Sequence, residues 1–365
     1  MKAVRLHEYG RPPMVEDVPE PRIEGPWDVL VQIGGAGLCR TDLHVVEGQW
    51  REKSGVTLPY TLGHENAGWV RETGSAVTHV EPGDPVILHP LVTCGLCRAC
   101  RAGDDVHCTA SRFPGIDADG GMAELLRTGA RSVLRLDPAL RPADVAALAD
   151  AGLTAYHAVR KAAPLLRPGS HVVVIGAGGL GHIGVQVLVA LTAAEIIVVD
   201  RSRAALDLVL EYGAHHVVDT RSADPVAAVL EVTSGAGSHG AHGAHVVLDF
   251  VGERGTEAQG IAMLRPAGSY FSIGYGGHVD VPTIDLVSKE INVVGNLVGS
   301  YNDLDELMNL TARGLVRLRT RTYALDAVHE AIDDLESGRL VGRAILVPGQ
   351  SRPGDHAPGP VALPA

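Results

Sequence analysis

The sequence contains few aromatic residues and no long uncharged hydrophobic run. Aromatic side chains make up only 4% of its 365 residues, so aliphatic side chains must fill most of a buried core. The most apolar stretch, residues 183–199, is interrupted by Gln186, Thr192 and Glu195 and is therefore not expected to span a bilayer. The N-terminus lacks the apolar segment of a secretory signal peptide. We therefore expect a cytoplasmic protein with no membrane partner.

Positive charge and cysteine are also in short supply. The net charge of -12 disfavours nucleic acid as a partner, because phosphate backbones attract basic surfaces. The chain has five cysteines, and in a reducing compartment clustered thiols indicate a metal site before a disulfide. With 45% hydrophobic residues, a chain of this length predicts two domains with substantial cores.

The pattern of apolar residues changes near residue 142. Upstream, "DVLVQIGGAGL" and "PGDPVIL" are typical of strands in an antiparallel or barrel-like region. Downstream, apolar strands such as "EIIVVD", "HVVLDF" and "SYFSIG" alternate with helical segments such as "AALDLVLEYGA" and "TEAQGIAMLRPAG". This alternation predicts a parallel, doubly wound sheet. The final segments, up to the strand "RAILVP", are expected to return to the first domain.

Four of the five cysteines lie in the segment "CGLCRACRAGDDVHC". Cys94, Cys97, Cys100 and Cys108 are spaced so that four thiolates can saturate a tetrahedral zinc ion and leave no open position. An iron–sulfur cluster is the main alternative, and unliganded thiols are a third. Ferredoxins place their fourth cysteine after three residues and before proline, whereas Cys108 follows a longer spacer and precedes Thr109. The spacing therefore favours a structural zinc site.

The fifth cysteine lies upstream in "GLCRTDLH", before a second polar motif, "LGHENAG". Cys39 and His64 are candidate ligands of a catalytic zinc, which needs three protein ligands and one open position. Asp42 could accept a hydrogen bond from a ligating imidazole and so fix its orientation. An isolated buried cysteine is more often a small core residue, and the residues alone do not identify a third ligand.

The segment "VVVIGAGGLGHIGV" has the glycine spacing of a dinucleotide-binding turn. Gly176, Gly178 and Gly181 follow a predicted strand and open a helix, whose N-terminus attracts phosphates; Gly179 lies in the same turn. Asp200 ends the next strand, where an acid binds both ribose hydroxyls and repels a 2′-phosphate. The sequence therefore predicts NAD(H), with NADP less favoured.

With these pieces together, the chain resembles the zinc-dependent medium-chain alcohol dehydrogenases, especially the bacterial and archaeal branch. The likeness covers roughly residues 1–348 in order. The family has a cysteine or an aspartate at the position of Asp150, so the resemblance implies that Asp150 is the third ligand of the catalytic zinc, with Cys39 and His64. It thus implies two zinc ions per subunit and hydride transfer between NAD and an alcohol, ketone or aldehyde.

The resemblance also implies roles for neighbouring residues. Glu65 matches an acid that can approach the metal during ligand exchange, and Thr41 matches the hydroxyl that contacts the alcohol. His44 matches the far end of a proton relay that runs through Thr41 and the nicotinamide ribose. Arg40 and Arg343 match a pair that contacts the cofactor pyrophosphate.

Two positions match residues that line the substrate pocket in the family. Trp50 and Leu91 would make this pocket apolar. Ordinary packing is the alternative for both, as it is for Tyr156.

The resemblance further implies the architecture and assembly. A GroES-like, mostly-β catalytic domain is expected over residues 1–152 and 296–350, including the structural-zinc loop 94–108. A Rossmann domain that binds NAD is expected over residues 153–295, and residues 351–365 are expected to form a C-terminal tail. The family relationship suggests a homotetramer, with a dimer as the lesser possibility.

Several alternatives remain open from the sequence. A polyol or sugar dehydrogenase, or a formaldehyde dehydrogenase, would belong to the same superfamily. A zinc-stabilised nucleic-acid ribbon predicts a basic face, but Asp104 and Asp105 offset Arg98 and Arg101. A relative without catalytic zinc, as in the quinone reductase branch, conflicts with the predicted catalytic ligands.

One segment departs from the family pattern. "SHGAHGAH", which holds His239, His242 and His245, resembles an insertion before the strand "VVLDF". We expect a solvated loop there, with capture of a stray metal as the alternative.

Overall fold

The computed structural model describes residues 1–234 and 242–349. The strands in this part are β1 Lys2–Leu6, β2 Met14–Asp17, β3 Asp28–Leu38, β4 Tyr60–Thr61, β5 Glu65–Thr73, β6 Pro85–Leu88, β7 Leu125–Gly129, β8 Val133–Arg135, β9 His171–Ile175, β10 Glu195–Asp200, β11 His216–Asp219, β12 Ala244–Asp249, β13 Leu264–Ser272, β14 Asn292–Gly295, β15 Thr320–Ala324 and β16 Arg343–Val347.

The α-helices in the same part are α1 Arg40–Val46, α2 Arg51–Ser54, α3 Arg98–Arg101, α4 Pro142–Val145, α5 Ala151–Ala162, α6 Gly181–Leu191, α7 Arg203–Glu211, α8 Pro225–Thr233, α9 Thr256–Ala262, α10 Thr283–Lys289, α11 Tyr301–Ala312 and α12 Val328–Glu336. None of the helices in the described ranges is long and apolar enough to cross a membrane.

A seven-stranded sheet is built around the long strand β3. Its order is β15-β16-β3-β5-β6-β8, and β7 also pairs with β3. The first half of β3 pairs with β7 and its last three residues pair with β16. Two register shifts along its pairing with β5 mark irregularities that bend the strand. Strand β3 therefore pairs both with β7 and with β16. The final strand thus returns to the sheet formed by the early part of the chain, as the sequence predicts.

The second sheet has six strands, all parallel, in the order β11-β10-β9-β12-β13-β14. Its central strands are buried along nearly their whole length, because helices cover both faces of a sheet of this kind. The order corresponds to 3-2-1-4-5-6, in which ligands bind where the strand order reverses. The doubly wound prediction is confirmed, whereas the proposed residue boundaries of the two domains stay a prediction.

The segment "TEAQGIAMLRPAG" is only partly helical, so the helix prediction is wrong for its second half. Helix α9 ends at Ala262, and β13 begins at Leu264. Pro266 cannot donate a helical hydrogen bond, and Ala267 has a φ of 59°, which a right-handed helix does not allow.

The loop prediction for the histidine-rich segment is wrong at its end. His245 lies inside β12 and is partly buried, and its Nδ1 accepts a hydrogen bond from the backbone N–H of His171 at 3.1 Å. His242 precedes the strand. His239 and the tail 351–365 lie outside the described residues.

Candidate active site

Four potential metal ligands converge beside the seven-stranded sheet. Cys39 follows β3, while His64 and Glu65 stand at the start of β5, the antiparallel neighbour of β3. Asp150 lies between a short 3-10 helix and α5. One ligand atom from each of the four residues lies within 4.8 Å of the others, and all four residues are buried. Asp150 thus occupies the break between two helical segments, where its carboxylate reaches the site.

The imidazole of His64 is buried, and neither of its nitrogens has a well-directed hydrogen bond to another described residue. Nδ1 lies 3.3 Å from Oδ1 of Asp42, and Nε2 lies 3.4 Å from Oδ2 of Asp150. The second carboxylate oxygen of Asp42 accepts the backbone N–H of Cys39 at 2.8 Å. Buried polar atoms without partners are costly, and a cation among thiolate, imidazole and carboxylate would satisfy them. This donor set fits a catalytic zinc site.

The acid groups around His64 determine its charge. Burial lowers the pKa of His64, but Asp42, Asp150 and Cys39 together raise it well above its usual value. A metal ion requires the neutral imidazole as a ligand, so metal binding at this site must release a proton.

Glu65 is held by two partners other than a metal. Its Oε1 accepts the backbone N–H of Ala151 at 3.1 Å, and its Oε2 forms a short ion pair with Nη2 of Arg343. Burial raises the pKa of Glu65, and Arg343 opposes that shift. A β-carbon on Gly179 would lie 2.6 Å from Nη1 of Arg343, so this arginine connects the metal site with the glycine turn. Its predicted contact with pyrophosphate stays a prediction.

The glycine turn connects β9 to α6 at the carboxyl edge of the parallel sheet. Gly176 has a φ of 90°, in the left-handed region that favours glycine. A β-carbon on Gly181 would lie 1.7 Å from the carbonyl oxygen of Gly176, so no larger residue fits there. A β-carbon on Gly178 would meet nothing within 4 Å, which leaves room for a ligand to approach the backbone. The turn therefore fits a dinucleotide.

Asp200 lies at the end of β10 beside this turn. Its Oδ2 accepts the N–H of Ala177 at 2.6 Å, and its Oδ1 accepts the N–H of Ser202 at 2.7 Å. These bonds fix the carboxylate next to the glycine turn, where it can face the ribose of a dinucleotide.

The four remaining cysteines form a second cluster away from Cys39. One sulfur from each lies within 4.8 Å of the others, and all are free thiols. Sγ of Cys100 lies 3.5 Å from Sγ of Cys97 and 4.0 Å from Sγ of Cys94, which bracket the ~3.8 Å expected around a tetrahedral zinc with bonds of about 2.3 Å. Backbone N–H groups and Cys100 lower the pKa of Cys97 to about 6, which favours the thiolate. The geometry fits a closed zinc site.

Thr41 and His44 lie on α1, next to Cys39. Burial lowers the pKa of His44, and Arg40 lowers it further, so the imidazole is neutral near pH 7 and able to accept a proton. Nδ1 of His44 has no hydrogen-bond partner among the described residues.

Tyr275 is a candidate site residue that the sequence did not reveal. It follows β13 of the six-stranded sheet, yet its hydroxyl donates to Oγ1 of Thr41 at 3.0 Å. Nε1 of Trp50 donates to the same hydroxyl at 3.0 Å, and the Tyr275 ring lies 4.9 Å from the ring of His44. "YGG" in a loop carries no motif, so only the packing of the two sheets brings this side chain to the site.

The other predicted residues occupy different surroundings. Arg40 is about half exposed, with Nη2 3.9 Å from Oε1 of Glu253. Leu91 is buried in an apolar cluster that also holds Leu153. Tyr156 is buried and donates its hydroxyl to Glu306 at 2.7 Å. The pocket role of Leu91 therefore stays a prediction.

Comparison with known proteins places this site in a family. Residues 25–138 match the alcohol dehydrogenase GroES-like domain, and residues 179–313 match the zinc-binding dehydrogenase domain. The NAD-dependent alcohol dehydrogenase of Sulfurisphaera tokodaii is 36% identical over 356 residues, which cover 95% of this chain and all of that protein. The chain belongs to the zinc-dependent medium-chain alcohol dehydrogenases. The family assignment confirms the GroES-like and Rossmann fold class and the prediction of zinc and NAD as cofactors.

Two further relatives define the neighbourhood within the family. The crystal structure of the alcohol dehydrogenase from the archaeon Aeropyrum pernix superposes with a TM-score of 0.91 at 47% identity, over 95% of this chain and all of that one. The D-arabinose 1-dehydrogenase (NADP(+)) of Saccharolobus solfataricus is 34% identical, over 95% of this chain and 97% of that protein.

Proposed function

We propose that this dehydrogenase oxidises small alcohols to aldehydes or ketones with NAD, and catalyses the reverse reaction. The observation that carries the proposal is the meeting of Cys39, His64, Glu65 and Asp150 close to a glycine turn that fits a dinucleotide. Cys39, His64 and Asp150 would hold the catalytic zinc, which supplies Lewis acidity, and NAD would accept the hydride. The cysteine cluster would hold the second zinc.

The chain's own residues would manage the proton and the coenzyme. Thr41 takes the proton of the substrate hydroxyl, and His44 passes a proton toward solvent. Glu65, whose carboxylate pairs with Arg343, would be able to approach the metal during ligand exchange. Asp200 binds the ribose hydroxyls, and its charge disfavours a 2′-phosphate.

A sugar dehydrogenase is the second candidate, because one relative oxidises D-arabinose according to its name. Trp50 and Tyr275 favour the alcohol, since Tyr275 lies beside Thr41 and the ring of Trp50 packs edge to face against the ring of Tyr275. Both candidate functions have a small molecule as substrate. We also infer that the enzyme is cytoplasmic.

A kinetic panel tests this function. We expect NADH formation with primary or secondary alcohols, little with D-arabinose, and much weaker activity with NADP.

Asp200→Gly should raise kcat/KM with NADP relative to NAD by about tenfold or more, because one repulsive charge at close range corresponds to at least about 1.4 kcal/mol. Asp207→Gly, on the exposed face of α7, is the matched control. Turnover of D-arabinose alone would favour the sugar dehydrogenase. An unchanged ratio of kcat/KM with NADP to kcat/KM with NAD in Asp200→Gly would show that Asp200 does not select the coenzyme.

We infer that two copies associate along β14, the edge strand of the six-stranded sheet. Val293 on this strand is 43% exposed, and Ile284 and Val287 on neighbouring α10 are 68% and 75% exposed. An edge strand can form backbone hydrogen bonds with the edge strand of a second copy, and an apolar patch beside it would be buried in such an interface. This interface is compatible with the expected tetramer.

The assembly is tested by the double variant Val287→Glu with Val293→Lys, which puts charges on this patch. We expect sedimentation to show half the assembled mass of the parent protein. Leu210→Lys, a substitution at another exposed apolar residue, should leave the mass unchanged. An unaltered mass for the double variant would place the interface elsewhere.

A further inference from the structure

Tyr275 joins two parts of the molecule at the proposed reaction site. It extends from the loop after β13, in the six-stranded sheet, whereas Thr41 and Trp50 follow β3 of the seven-stranded sheet. Its hydroxyl is the middle member of a chain in which Trp50 donates to Tyr275 and Tyr275 donates to Thr41, both at 3.0 Å. The rings of Tyr275 and Trp50 also meet edge to face, with centroids 6.1 Å apart.

The direction of the first bond is fixed, because an indole N–H can only donate and the phenol oxygen must accept from Trp50. In the second bond the phenol hydroxyl donates its one proton to Oγ1 of Thr41. Burial raises the pKa of Tyr275, so the phenol keeps that proton near pH 7. One lone pair of the Thr41 oxygen is therefore occupied, and its other lone pair and its own proton point elsewhere.

We propose that Tyr275 is a positioning residue that orients the Thr41 hydroxyl for proton transfer, a role that rests on the proposed function. During alcohol oxidation the substrate proton moves to the free lone pair of Thr41, and the proton of Thr41 is passed on toward His44. Tyr275 keeps its proton throughout. Because the contact joins residues attached to two different sheets, it depends on how these sheets pack together.

The test starts with Tyr275→Phe, which removes one oxygen and keeps the ring. We expect kcat to fall about tenfold, the effect of one hydrogen bond of ordinary strength, while the Kd for NAD and the KM for alcohol change less than twofold. The solvent deuterium isotope effect on kcat should rise, because the proton step becomes slower. Tyr301→Phe, whose hydroxyl bonds the carbonyl of Val133 outside the site, is the matched control and should leave all these values unchanged.

A readout that needs no turnover checks the contact itself. The fluorescence of Trp50, assigned by comparison with Trp50→Phe, should change in Tyr275→Phe because the indole N–H loses its acceptor. Identical emission spectra would show that the contact does not exist in solution.

A double-mutant cycle separates this inference from the proposed function. Thr41→Ala should cost about 10²–10⁴-fold in kcat if Thr41 handles the proton, and Tyr275→Phe should add no further loss in that background. Full turnover by Thr41→Ala would overturn the role of Thr41 in the proposed function. An inactive Thr41→Ala together with an additive or absent effect of Tyr275→Phe would overturn only the role of Tyr275.

Discussion

Asp150→Ala is expected to abolish turnover and to leave NAD binding intact. The carboxylate is one of three protein groups proposed to hold the catalytic zinc, and it lies 3.4 Å from the ring of His64. Loss of Lewis-acid stabilisation of several kcal/mol corresponds to a fall in kcat of at least about 10³-fold. Elemental analysis should find one zinc per chain in the variant and two in the parent. NAD titration should be unaffected, because the glycine turn lies on the other sheet.

Two further variants make this experiment specific. Asp150→Cys replaces the carboxylate with the other ligand that the family resemblance allows, and it should restore the second zinc and part of the activity. Asp144→Ala removes a nearby aspartate that pairs with Arg141 at the surface, and it should be silent. If Asp150→Ala keeps two zinc ions and normal turnover, the third ligand is another residue.

Cys97→Ser should reduce stability and leave the chemistry of the catalytic site in place, in contrast to Asp150→Ala. It removes one thiolate from the cysteine cluster, so we expect that zinc to be lost while the catalytic zinc and its chemistry remain. Loss of a metal crosslink should lower the free energy of unfolding by about 3–5 kcal/mol, comparable to the removal of a disulfide. The melting temperature should fall by about 5 °C, and calorimetry alongside metal analysis measures both effects.

Leu96→Ala is the control for this loop, because Leu96 is 72% exposed and lies beside Cys97. It should keep both zinc ions and the parent melting temperature. Visible absorption and iron in the purified protein would instead favour an iron–sulfur cluster. Cys97→Ser and Asp150→Ala should each lose a different zinc, and the loss of both by either variant would contradict two independent sites.

The parts of the site that were predictable from sequence are local along the chain. Cysteines spaced by two residues must lie close together, and the conformation of Gly176 and the crowding at Gly181 leave a trace in the motif itself. No spacing or motif in the sequence identifies Asp150 as a ligand, because it meets Cys39 and His64 only after β3, β5 and the break before α5 are assembled. Family resemblance supplied it.

Other features depend on contacts between distant segments. Tyr275 reaches Thr41 because two sheets pack together, and no spacing in the sequence records that. Arg343 was expected at the pyrophosphate, and the structure shows it bonded to Glu65, a pairing between strands far apart in the chain. The helix prediction around Pro266 was wrong because the apolar residues there fit the spacing of a helix as well as that of a strand. Pro266 and the positive φ of Ala267 exclude a continuous helix.

The ion pair between Glu65 and Arg343 has a consequence for biosynthesis. Its cationic member arrives on β16, the last strand of the described chain, while its anionic member is made early. Until β16 is added to the sheet, a nascent polypeptide holds a buried carboxylate without its counter-ion, a condition that strongly disfavours the packed state. We therefore expect the reaction centre to assemble only after the segment that carries Arg343 has been synthesised.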